Sequence, residues 1–155
     1  MNQSEKKELP DFMMLYQHYH QLLTNGARAE LRRISLPSEL VKVPAFYRLT
    51  VGFGTGESIQ RLVYCLPYIK HLESGKNLGQ ALAEAKIREK RLFMVIRSQS
   101  PNDLIQLRRL LQQVEPTVNW VQAAKQIYYW NDLAKRQLLE NYFLHLDEPA
   151  KKVSV

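Results

Sequence analysis

The stretch PNDLIQLRRLLQQVE, residues 101–115, decides the fold class. Leu104, Leu107, Leu110 and Leu111 recur at intervals of three and four, which a helix gathers onto one face. Pro101 and Asp103 suit the first turn, where a missing N–H costs nothing and a carboxylate meets the positive end of the helix dipole. Pro116 then stops the helix. On this wheel Arg109 points to solvent and Arg108 to the boundary of the apolar face.

The same punctuation extends in both directions. Downstream, Thr117 can cap a helical, aromatic segment, Val118–Leu146, interrupted at Asn131-Asp132. Upstream, Leu78–Ser98 reads as LGQALAEA followed by REKRLFMVIRS, and Glu57–Leu72 carries Ile59, Leu62, Val63 and Leu66 on one face, with Pro67 to kink or end it. The run VGFGTGES holds three glycines in five residues and reads as a loop. Before it come AFYRL behind Pro44, a short helix GARAELRRI, and a helix from Pro10 that Asn25-Gly26 should stop. The segment ESGKN, residues 73–77, has turn composition and no apolar spacing, so it should separate two lobes, 10–72 and 78–146. Residues 1–9 and 147–155 read as mobile tails. The expected fold class is all-α, a compact bundle of about eight helices in two lobes.

Composition agrees. Leu occurs 23 times, Gln 12 and Ala 10 against only 4 Thr, a balance that favours helix over sheet because β-branched residues are scarce. Apolar residues make up 45% of the 155, enough for a core. No apolar run is long enough to cross a membrane, and the first nine residues do not resemble a signal peptide, so no membrane partner is expected. The single cysteine, Cys65, precludes an intrachain disulfide and fits a reducing cytoplasm.

Catalytic chemistry finds little to work with. His18 and His20 are two apart, pointing about 200° from each other on a helix, and cannot clamp one metal. Cys65 sits in the apolar run LVYCLP, the setting of a buried small hydrophobe rather than a nucleophile. GFGTGES lacks the lysine and the preceding strand of a phosphate loop. The acids stand singly, without the paired carboxylates of two-metal chemistry. The chain is therefore expected to be no enzyme, with no catalytic residues, metal or cofactor.

The basic residues are better organised. Lys and Arg number 22 against 15 acids, a net charge of +7, and the whole surplus lies within residues 26–115, where arginine outnumbers lysine. Arginine presents a planar fork of donors suited to phosphate. On GARAELRRI, Arg28 and Arg32 share one flank and Arg33 takes the other. On the third basic helix, Lys86, Lys90 and Arg97 fall within about 40° of one another, with Arg88 and Arg91 nearby. No base-reading motif is visible, so contact would be to the nucleic-acid backbone, insensitive to sequence and sensitive to salt. The aromatics near helical spacing, such as Trp120, Tyr128 and Tyr142, read as core rather than as stacking platforms. The alternative is a protein-interaction adaptor whose arginines meet acidic protein surfaces.

Several collinear strings carry a family resemblance: NGARAELRRIS, VPAFYRL, LGQALAEAKIREKRLFMVIRS, DLIQLRRLLQ, and Trp120 with the YYW…LAKRQLLENYFL segment. Over roughly residues 12–146 the chain resembles the CasB-type small subunit of Cascade, the type I-E CRISPR surveillance complex. The resemblance implies an all-helical, non-catalytic subunit of a ribonucleoprotein in antiviral defence. It implies as partners the guide RNA, the target and displaced DNA strands, the backbone and large subunits, and another copy of itself. It also implies that Arg28, Arg32, Arg33, Lys90, Arg91, Arg108 and Arg109 contact nucleic acid and stabilise the R-loop. One departure is Gln80, where relatives often carry arginine, which makes the expected groove less basic there.

Overall fold

The computed structural model describes residues 9–146. Both expected tails, Leu9 apart, lie outside that range. Helix α1 (Phe12–Gln17) runs on into one π-helical turn (His18–Leu22) and is followed by α2 (Asn25–Arg32). A 3-10 segment (Pro37–Lys42) leads to α3 (Pro44–Leu49), then α4 (Glu57–Cys65) and a 3-10 turn, Leu66–Tyr68. Strand β1 (Lys70–Lys76) precedes α5 (Leu78–Glu84), α6 (Glu89–Arg97) and α7 (Asn102–Val114). Strand β2 (Thr117–Val118), α8 (Trp120–Tyr128) and α9 (Asp132–Leu144) complete the chain. The fold is thus predominantly helical, with one small parallel two-stranded sheet.

Helix starts follow local chemistry. The side chains of Asp11, Thr24, Asn77, Asn119 and Asn131 accept hydrogen bonds from the backbone N–H three residues on, satisfying donors that a first turn leaves without partners. Thr24 corrects one expectation: Asn25-Gly26 opens α2 rather than stopping α1, because the threonine hydroxyl caps Ala27 N–H at 3.1 Å.

The second correction is ESGKN. Glu73–Lys76 belong to β1, and Thr117, expected to cap a helix, stands opposite Lys70 in β2. The pairing is irregular, since His71 and Lys76 both oppose Val118. Gly75 makes this possible: a Cβ there would lie 2.6 Å from the Val118 carbonyl carbon and 2.9 Å from Asn119 N. The bare glycine lets β1 close onto β2.

One set of buried side chains runs from Phe12 to Tyr142. α1 and α4 pack on α8, α5 on α9, and α6 on α7. Trp120 is fully buried and its indole N–H donates to the Phe12 carbonyl at 2.7 Å, fastening α8 to α1. His71 is structural as well, its Nδ1 accepting from Trp120 N–H at 3.0 Å. A buried ion pair, Lys135 Nζ to the Asp103 carboxylate at 2.9 Å, joins α9 to α7, and the Trp130 indole N–H donates to the same carboxylate at 3.0 Å. Burial pushes the Cys65 thiol up to about 12, so it persists as an inert S–H in the core.

Helix ends are held differently, by arginine. Arg28 donates to the carbonyls of Tyr19, His20 and Leu23, closing the π-helical turn. Arg61 of α4 donates to Ile127 and Tyr128 O at 3.1 and 2.6 Å, at the end of α8. Arg108 of α7 reaches the end of α2, donating to Leu31, Arg32 and Ile34 O at 3.2, 3.3 and 2.7 Å. Its guanidinium carbon lies 4.3 Å from the Tyr64 ring centroid and 5.2 Å from that of Tyr68. Arg108 is only 4% exposed. The boundary position expected of it is instead a buried strut, because α2 and α4 close over that side of α7.

Two substitutions test these joints. Adding a Cβ at Gly79 in α5 would place it 2.6 Å from both Leu138 O and Asn141 Cβ in α9. The helix-propensity gain of about 1 kcal/mol from Gly79→Ala is outweighed by overpacking against backbone that cannot rotate away. A net loss of about 2 kcal/mol is expected in urea unfolding. Arg108→Met keeps the stem but strands three carbonyls and should cost about 3 kcal/mol in the same assay.

Candidate nucleic-acid interface

The end of α2 and the outer face of α7 meet where Arg108 ties them. Arg32 and Arg33, the last residues of the α2 turn, are exposed and make no ion pair among the described residues. Arg109, one residue beyond the strut, is exposed and equally unengaged. Arg108 Nη2 sits 3.3 Å from the Arg32 carbonyl, so the strut fixes the end of α2 against the turn of α7 that carries Arg109. A cleft of about 210 Å³ opens beside this joint, lined by Ser35, Tyr64, Arg108, Arg109 and Gln112 among others.

α6 continues the basic face. Arg91 is half-buried and hydrogen-bonds the Gln113 side-chain carbonyl on α7, one turn beyond Arg109. Lys90 beside it is exposed. Of the seven residues expected to contact nucleic acid, Arg32, Arg33, Lys90 and Arg109 present exposed head groups, and Arg91 presents a half-buried one. Arg28 is half-buried as well, and Arg108 is buried. Both guanidiniums are occupied with backbone carbonyls, for the physical reason that a helix end leaves acceptors that only a multiple donor can satisfy.

The electrostatics record the local surplus. Burial, then the charges of Arg28 and Arg32, hold the His20 imidazole below its ordinary value. Burial raises the Tyr64 phenol against the opposing pull of Arg108, so its hydroxyl stays a neutral donor to Ser35 O at 2.7 Å.

Sequence reasoning missed Lys42, which shares a shallow depression with Arg33, Glu30 and Glu39. It also missed Ser35 and Gln112 of the cleft. No local signal marks these residues, since they meet only when α2, the 3-10 segment and α7 pack together. Elsewhere, a cavity of about 480 Å³ between α5, α8 and α9 is lined largely by amides such as Asn77, Gln122, Asn131 and Asn141, with no acid–base pair. Among the described residues no three His, Cys, Asp or Glu side chains gather to hold a metal, and no helix is long and apolar enough to cross a membrane.

Comparison with known proteins matches this architecture to one family. The profile of CRISPR-associated protein Cse2 matches residues 27–143. The chain is 38% identical to the CRISPR system Cascade subunit CasB of Escherichia coli strain K12, over 90% of this chain and 97% of that protein. It also superposes, with a TM-score of 0.85 and 39% identity, on a chain in the crystal structure of E. coli Cascade bound to a PAM-containing double-stranded DNA target, covering 92% of this chain and 99% of that one. Resemblance in sequence and in fold converge, and the chain belongs to the CRISPR-associated Cse2 family.

Proposed function

We propose that this chain is a non-catalytic small subunit of a Cascade-type ribonucleoprotein, and that its α2–α7 face holds nucleic-acid backbone so that an opened target persists. The observation that carries this reading is that Arg32 and Arg33 at the end of α2, and Arg109 on α7, are exposed and make no ion pair among the described residues. Exchange of a DNA duplex for a guide–target duplex is nearly balanced in base pairing, so modest protein contacts to the strands can tip it. A few exposed cations are of the right order, since each phosphate neutralised releases about one counterion. Guide RNA, target and displaced strands are the nucleic-acid partners in this reading. The backbone and large subunits, and a second copy of the chain, are its protein partners.

The test is binding of single-stranded DNA by the purified chain across a salt series. Arg32→Glu and Arg109→Glu lie at solvated positions and should each leave stability within about 0.5 kcal/mol of the parent. Each should weaken binding to all sequences alike and lower the slope of log affinity against log salt by roughly one. Parent-like binding by both variants at low and high salt would overturn the strand-holding face and favour an adaptor that meets acidic protein surfaces.

A further inference from the structure

We infer that the cavity between α5, α8 and α9 takes an unstacked nucleobase. This rests on the reading above that the chain meets a nucleic-acid strand, and it adds a contact of different chemistry on other elements. The arginines of α2 and α7 suit the anionic backbone, whereas this cavity suits the neutral bases.

Shape and lining carry the argument. The cavity measures about 480 Å³, a size typical of small-ligand sites. Leu78, Ala123 and Ala134, all buried, give it an apolar floor, and side-chain amides stand around that floor. A nucleobase has the matching division, apolar on its two faces and polar only along its edge. Amides suit such edges because each carries a donor and an acceptor side by side.

Half of these amides are set in place by the protein itself. Asn77 and Asn131 accept from Gln80 and Ala134 N–H through Oδ1, both at 2.8 Å, which leaves each an NH₂ group to donate. Gln126 donates Nε2 to Ala134 O at 3.1 Å and keeps its carbonyl to accept. The side chains of Gln122, Gln137 and Asn141 make no hydrogen bond among the described residues, so they can close on a ligand without breaking one.

Tyr129 supplies a plane. Its ring lines the cavity, is 47% exposed, and is held edge-to-face against Tyr128 with centroids 5.1 Å apart. An exposed, braced ring is what a base stacks on, whichever base it is. Lys125, one helical turn before Tyr129, is exposed and can meet the phosphate attached to that base. A single lysine is too little charge to hold a strand by its backbone, and no carboxylate lines the cavity to attract a cation.

NMR of the side-chain NH₂ resonances of the full chain decides it. Titration with adenosine, which has a base and no phosphate, should shift Gln122, Gln137 and Asn141, and inorganic phosphate should not. Oligo(dT) should bind about tenfold more tightly than an abasic strand of the same length. Tyr129→Ala should remove that difference while leaving affinity for the abasic strand unchanged. Gln137→Ala, at an exposed position, should reduce the same difference and serves if the tyrosine variant loses its fold. Amide shifts with trialanine as large as those with adenosine would overturn the assignment in favour of a polypeptide segment. If the parent binds intact and abasic strands equally, the cavity proposal falls and the backbone-holding reading stands. If it binds neither, that reading falls and takes the cavity with it.

Discussion

Capture of helix C-terminal carbonyls by arginine is the interaction on which the arrangement of this chain depends. The last turn of every helix leaves carbonyls with no partner in the helix. A buried end needs a group that donates several hydrogen bonds from one place, and a guanidinium has five N–H donors in a planar fork. Arg108 meets α2 across 74 to 77 residues of sequence, and Arg61 meets α8 across 66 and 67. Each bond is charge-assisted, opposes the negative end of a dipole, and fixes where one helix ends against another. Apolar packing alone would let α7 slide along α2; three directed bonds do not.

This use of arginine changes what the net charge of +7 means. Arg28, Arg61 and Arg108 are occupied with carbonyls, the first two half-buried and the third buried. The positive field that a strand would meet comes from fewer residues, placed more sharply. Neutralising the end of α2 also matters for those that remain. Arg32 and Arg33 stand beside carbonyls that would attract them inward and repel phosphate, and Arg108 takes up those carbonyls first. The buried cation thereby frees the exposed ones.

What the sequence discloses divides along the same line. Helix starts are local: Asn77 and Asn131 cap donors three residues ahead, and such caps leave a mark in the primary structure. The apolar faces of α4 and α7 were equally legible, because their periodicity is a property of each helix alone. Remote contacts leave no such mark. ESGKN has turn composition, yet it forms strand because Gly75 admits the backbone of Val118 and Asn119 at distances no side chain would allow. Arg108 and Arg109 look alike in the string LRR, and only the neighbours of α7 separate them. The exposed part of the candidate face, Arg32, Arg33 and Arg109, could be drawn from helical geometry, whereas Ser35, Lys42 and Gln112 required the tertiary arrangement.

The adjacent pair Arg108-Arg109 shows why the two roles place different demands on chemistry. At 109 the side chain is solvated and any cation supplies most of the Coulomb attraction to a phosphate. At 108 charge is the lesser part. The head group must bond three carbonyls at once while its carbon sits 4.3 Å from the Tyr64 ring centroid, with Tyr68 close by, and a lysine ammonium does not offer the fork. A strand-holding face built on α2 and α7 exists only while those helices keep their relative position. In the proposed reading the buried arginine acts through geometry and the exposed one through contact. The roughly 100° that separates successive residues on a helix is what allows neighbours of identical chemistry to do both.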